Sequence, residues 1–265
     1  MEEQFRIAEV LDTIDEAIQA TERVVFKLKA VNQAYVQEQM ANIVDSKAVR
    51  LGEMCKVFGG KRLPGGHSYV SHETQYRYLR VEDFFQKSVN YSDLRSLSYA
   101  TFDILKRYEI EYGDLFMSIA GSIGYVGINC PPVGLKTILT ENAAKIVPSK
   151  SFVPEYLALH MNSAEVVSQI RAEIGTGSGV PKLALHRIAS LRISCPDISR
   201  QQEVVRRHEV GRAAWATREK ELALIVHGVW CLGGARPRKS PSGVGRCVLM
   251  GTYRLHREGH LRDAG

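Results

Sequence analysis

Glycine, serine, cysteine and histidine are the residues whose spacing would reveal catalysis, and in this 265-residue chain each stands at the wrong distance. Gly175-Thr176-Gly177-Ser178-Gly179 follows a helical pattern and not a strand. It lacks the lysine of a phosphate loop and the last glycine of a dinucleotide fingerprint. Gly121-Ser122-Ile123-Gly124 does not place glycine two residues to either side of the serine, as a nucleophile elbow requires. In Asn129-Cys130-Pro131-Pro132 the cysteine interrupts the Asn/Asp-Pro-Pro run of amino-methyl transfer, and Val133 stands where an aromatic would follow. His67 and His72, or His256 and His260, form pairs without a third ligand at metal spacing. Cys55, Cys130, Cys195, Cys231 and Cys247 are widely separated and contain no CxxC, which argues against a disulfide framework or a structural zinc. The expectation is a chain without catalysis, cofactor or metal of its own.

Binding chemistry is better represented. Lys56-Val57-Phe58-Gly59-Gly60-Lys61-Arg62-Leu63-Pro64-Gly65-Gly66 is basic and glycine-rich. Glycines let backbone amides approach a phosphate, and Lys61 and Arg62 would neutralise it. Tyr76, Arg77, Tyr78 and Arg80 interleave aromatics with bases on a predicted strand. Alternation puts Tyr76, Tyr78 and Arg80 on one face and Arg77 on the other. Arginine reads guanine in two-pronged fashion, and tyrosine contacts phosphate or sugar. Lys182, beside the second glycine-rich loop, completes the candidate DNA-binding set Lys61, Arg62, Tyr76, Arg77, Arg80 and Lys182. The same strand also fits a plain surface strand with a tyrosine packed on the core, and Arg80 is equally placed to pair with Glu82 or Asp83.

Composition bounds these readings. With 45% hydrophobic and 24% charged residues the chain is an ordinary globular protein. Its longest uncharged apolar stretch, 115–135, is broken by glycines and prolines and cannot be a membrane helix. Met1-Glu2-Glu3-Gln4 is not a secretory start, so a cytoplasmic location is expected. The net charge of +6 sits mostly in residues 226–265, which hold seven Lys/Arg against two acids. The nearly neutral remainder gives no charge-based argument for nucleic-acid binding.

Three segments must position these residues. Ile7, Leu11, Ile14, Ile18, Thr21, Val25 and Leu28 recur at alternating steps of four and three, the seam of a coiled coil. The spacer helix is expected within 1–45, and from Gln4 to Glu38 it would be roughly 50 Å long at about 1.5 Å per residue. Val10, Ala17, Val24 and Val31 add a second apolar row, so a partner helix is expected. Ile7, Leu11, Ile14, Ile18, Val25 and Leu28 are the candidate interface. Residues 49–196 alternate short β-branched or aromatic runs with turns, with one helix expected at 154–174. The fold class is therefore α+β: one mixed domain flanked by long coiled-coil-forming helices. Residues 198–225 return to helix and could pair antiparallel with the first. Residues 226–265 show no hydrophobic period and are expected to be disordered. They read as a basic nucleic-acid-binding arm or, preferably, as a chance end such as a frame-shifted one.

The order of motifs resembles the target-recognition domain of type I restriction-modification specificity subunits. Val49-Arg50-Leu51-Gly52-Glu53-Met54 with Gly59-Gly60 and Pro64 resembles its opening. The stretch 76–84 resembles its next strand and turn. The most specific match is 112–124, YGDLFMSIAGSIG, followed by Leu139-Thr140-Glu141-Asn142-Ala143-Ala144-Lys145-Ile146. Pro154-Glu155-Tyr156-Leu157, the Gly175 loop, Pro181-Lys182-Leu183 and 191–196 complete the series, and 7–18 resembles the family's spacer helix. The likeness covers about residues 4–207. The family's full subunit has two recognition domains; this chain has one, preceded by its spacer, and looks like a second half with an abnormal end.

The resemblance implies a sequence-specific reader of duplex DNA that directs methylation subunits and, through them, restriction subunits. S-adenosylmethionine, ATP and magnesium would belong to those partners. A homodimer or a second half-subunit would supply the missing recognition domain. Two other readings stay open: a coiled-coil fragment that titrates partners without reading DNA, and a small enzyme acting on nucleic acid.

Overall fold

The computed structural model describes residues 2–41, 48–85, 88–174 and 181–232. The elements in order are α1 (Glu2–Ala41), β1 (Ala48–Arg50), α2 (Leu51–Met54), β2 (Cys55–Gly59), β3 (Tyr76–Leu79), β4 (Phe84–Phe85), β5 (Ser88–Val89), β6 (Arg95–Ser96), α3 (Tyr99–Leu105), β7 (Glu109–Ile110), β8 (Leu115–Ser118), β9 (Val126–Ile128), β10 (Lys136–Leu139), β11 (Ala143–Pro148), α4 (Pro154–Met161), α5 (Ala164–Glu173), α6 (Leu185–Ser190), β12 (Arg192–Ser194) and α7 (Ile198–Leu232). They form two compact units, 1–35 with 206 onward, and 36–205.

In the first unit α1 and α7 pair antiparallel. Lys29 forms an ion pair with Glu219, while Asn32, further along α1, meets His208, earlier in α7. Asn32 Nδ2 donates to the His208 carbonyl at 3.3 Å and lies 3.1 Å from its Nδ1. Val25 and Leu222 are buried, and Ile14, Ile18 and Leu28 are half-buried. Along the expected seam Ile7 and Leu11, by contrast, stay 55% and 46% exposed. The second row stays open too, with Val10, Val24 and Val31 exposed.

Gly211, which weakens α7 on propensity alone, has a packing reason. A Cβ there would lie 2.7 Å from Asn32 Cγ and 3.3 Å from Asn32 Cβ. Gly211→Ala is expected to destabilise the helix pair by about 1 kcal/mol, because the clash outweighs alanine's higher helix propensity. Adding Asn32→Ala should restore the loss, as read by thermal melting of the helical signal.

The second unit is the α+β body. One four-stranded sheet runs β6-β3-β10-β7 and the other β2-β11-β8-β9, with β1–β12 and β4–β5 as two-stranded pairs. β10 lies parallel to β3 with Leu139 opposite Leu79, and β11 antiparallel to both β2 and β8. Leu79, Ile110, Phe116, Leu139 and Ala143 bury one core cluster; Tyr78, Leu97, Phe102, Leu105 and Ile138 bury another. These strands are short and carry branched or aromatic side chains that fill the pleat from both faces. Gln201, wholly buried, ties the start of α7 in place. Its Oε1 accepts from Val153 N, and its Nε2 donates to the Ser151 and Pro196 carbonyls, each at 2.8 Å.

Several expectations are corrected. The single helix at 154–174 is two, because Ser163 caps a new helix by accepting from Val166 N and Asn162 turns back onto the Ala158 carbonyl. The first half of the 56–66 loop is strand β2, paired to β11. Residues 226–232, assigned to a disordered tail, continue α7; the rest of that tail and the Gly175–Gly179 loop lie outside the described residues. Among the described residues no helix is long and apolar enough to cross a membrane.

Candidate functional site

Two chain crossings meet at one corner of the body. Only three residues, Thr140, Glu141 and Asn142, carry the chain from β10 in one sheet to β11 in the other. Gly60 and Lys61 make the second crossing: Gly60 N donates to the Ala143 carbonyl and Lys61 N to the Leu139 carbonyl at 2.9 Å. Thr140 N donates to Leu79 O, so Arg80 leaves its strand beside Thr140. On the other flank Ile119 N donates to Asn142 O, and Ala120 bridges to Lys182. Backbone geometry thus brings Lys61, Arg62, Glu141 and Arg80 to one corner, with Lys182 one strand away.

The side chains there are built into a network around Glu141. Arg62 donates Nε to Glu141 Oε1 at 3.1 Å, and its Nη2 lies 3.1 Å from the same oxygen. Thr140 Oγ1 donates to Oε2 at 2.9 Å, and the Tyr78 hydroxyl, 3.4 Å from Oε2, donates to the Lys61 carbonyl at 2.8 Å. Burial pulls the Glu141 carboxyl up, but its own backbone N–H, Thr140 and Arg62 together hold it below its ordinary value. Burial pushes the Tyr78 hydroxyl up to about 12, so it stays a neutral donor. Tyr69 packs on Tyr78 with ring centroids 5.8 Å apart. The result is an open cleft of about 430 Å³.

Of the six candidate DNA contacts, Lys61, Arg62 and Lys182 are exposed. Arg80 took the alternative: its Nε and Nη2 bind Asp83 at 3.0 and 2.8 Å, and Nη1 pairs with Glu82. Arg77 is a correction. It is buried, donates to Ser96 Oγ and approaches Glu73 at 3.6 Å, because β3 is a central strand covered on both sides. Tyr76 stacks on Phe102 at 4.5 Å, the plain packing role. Glu141 and Tyr69 were not among the candidates, and Tyr78, named only as part of the aromatic run with Tyr76 and Arg80, lines the cleft with them. The polar trio Thr140-Glu141-Asn142 between two apolar runs was the available signal. Asn129, from the broken motif around Cys130, is buried and structural, donating to the Ile110 and Glu111 carbonyls. Among the described residues no group of three His, Cys, Asp or Glu side chains converges to hold a metal ion.

Residues 43–209 match the family model described as type I restriction modification DNA specificity domain. No curated protein matches the sequence. The fold is similar to that of an HsdS subunit from Thermoanaerobacter tengcongensis, at TM-score 0.55 and 15% identity, covering 84% of this chain and 53% of that one. It is also similar to a type I restriction-modification S subunit from M. genitalium, at TM-score 0.55 and 12% identity, covering 85% and 58%. A chain from a type I R-M system assembly matches at TM-score 0.58 and 16% identity, covering 85% and 56%. The chain spans little more than half the length of these solved relatives.

Proposed function

Because this chain belongs to the type I restriction modification DNA specificity domain family, we propose that it reads one half of a split duplex target and directs methylation and restriction subunits to it. It supplies recognition and no catalysis; S-adenosylmethionine, ATP and magnesium belong to the partner subunits. Residues 49–196 form the reading head, α1 the spacer and α7 the distal helix. The complex works on cytoplasmic DNA.

The observation that carries this reading is the corner at the sheet crossings. It presents Lys61 and Lys182 outward from hydrogen-bonded backbone, the arrangement a duplex backbone needs for registration. The test is co-expression with type I methylation subunits, co-purification, and sequencing of methylated sites. A reproducible half-site motif is expected. Co-purification with unmarked DNA would support the partner-titrating fragment instead.

Lys61→Ala is expected to weaken binding to every duplex alike. It should lower the slope of affinity against salt by about one unit, checked by salt titration of the assembled complex. A second copy or second half-subunit pairs through the open end of α1. Ile7→Asp with Leu11→Asp should weaken that pairing by about a hundredfold or more while the fold is kept, since both side chains are exposed in the single chain. Analytical ultracentrifugation over a concentration series reads the change.

A further inference from the structure

The cleft at the corner holds two arginines and two glutamates, Arg62, Arg80, Glu82 and Glu141. Asp83, paired with Arg80, adds a third carboxylate beside it. A phosphate would meet as much negative as positive charge there. A neutral group with adjacent hydrogen-bond acceptors would not. Arg62 is shaped for such a group. Its grip on Glu141 uses Nε and Nη2, so the outer Nη1–Nη2 edge of the fork is the one left to a ligand, and the side chain is 76% exposed. That edge offers two parallel N–H groups, the complement of O6 and N7 of guanine in the major groove.

We propose that Arg62 reads a guanine in the target and that Glu141 positions it, a proposal that rests on the DNA-recognition reading above. Glu141 is itself fixed by Thr140 and Tyr78, so the guanidinium plane is set by the body and not by a free side chain. An arginine already held loses less rotamer freedom on docking. The carboxylate also disfavours a phosphate at the same fork and so biases it toward a base.

The test uses the full chain with the methylation subunits and a library of randomised duplexes, selected and sequenced, followed by affinities on the selected duplex and its single-base variants. Arg62→Lys keeps the charge and removes the fork. It should lower the guanine preference at one position by about 5- to 150-fold. Arg62→Ala should do the same with the salt slope unchanged. Glu141→Gln should reduce preference at that same position while affinity for duplexes lacking that guanine is kept. A merely structural Glu141 would weaken every position alike and lower the melting temperature, and that result overturns the positioning role. A salt slope lowered by about one in Arg62→Ala, with binding weakened on all duplexes, makes Arg62 a phosphate contact and overturns the reading role. A wild-type preference that survives in all three variants also overturns it. A wild-type complex that binds all duplexes alike removes the DNA-recognition reading itself, and is seen before any variant is made.

Discussion

Replacing Gly60 with alanine is expected to destabilise the body by about 3 kcal/mol or more and to displace the loop that carries Lys61 and Arg62. A Cβ at Gly60 would run into the carbonyl oxygens of Leu139 and Thr140 and lie 2.6 Å from the Thr140 carbonyl carbon. These are backbone atoms at the crossing between sheets, so no rotamer change relieves the contact. The hydrogen bonds from Gly60 N and Lys61 N would have to lengthen with it. Gly59 is the internal control. Its Cβ would meet only Leu185 Cδ1 at 3.4 Å, and Gly59→Ala should change stability by less than about 0.5 kcal/mol. Urea unfolding of the two variants, side by side, checks the contrast. Equal effects at the two positions would mean that the crossing is not where the loop is held.

Acid should destabilise the protein through His160 by about 3 kcal/mol, the free energy that corresponds to the difference in proton affinity between its folded and unfolded states. The imidazole is fully buried, its Nε2 accepts from Ser194 N at 2.8 Å, and its ring stacks on Tyr156. The proton of the neutral ring is therefore on Nδ1, which has no hydrogen-bond partner among the described residues. Burial lowers the pKa from 6.5 to about 4. The folded chain thus refuses a proton that the unfolded chain takes up below pH 6.5. This contribution is full above pH 6.5, falls as the pH drops, and is exhausted near pH 4. His160→Gln keeps an acceptor for Ser194 N and cannot charge. Its stability, measured by urea unfolding between pH 4.5 and 7.5, should fall less steeply with acid than that of wild type. Parallel curves would place the acid sensitivity elsewhere.

Much of the architecture was legible in the residues. Period determined α1, because alternating steps of four and three define one apolar stripe only on a helix. Ser163 was legible in principle as a cap, yet the apolar run on both sides of it disguised the break between α4 and α5. β1, three residues long, and β10 carried too little pattern to be read from sequence, and exist because β12 and β3 supply their hydrogen bonds. Charge alone misled at β3. Arg77 looks like a reader in a basic, aromatic run, but its strand is central and its guanidinium is spent on Ser96 and Glu73.

The sequence by itself determined the class of protein: the ordered series of motifs, the heptads and the missing catalytic spacings are all local properties. Tertiary structure alone decided the site. Arg62 and Glu141 are 79 residues apart, and only the double crossing between sheets puts them at hydrogen-bond distance. Arg80 and Asp83 are three apart, and the tight turn between them settled a choice that spacing left open. Likewise, the pairing of α1 with α7, and its antiparallel sense, is a long-range fact that no heptad count contains. The physical reason is common to all three cases. Period and propensity act over a few residues, whereas the partner of an exposed charge is chosen by whichever backbone the fold brings within about 3 Å.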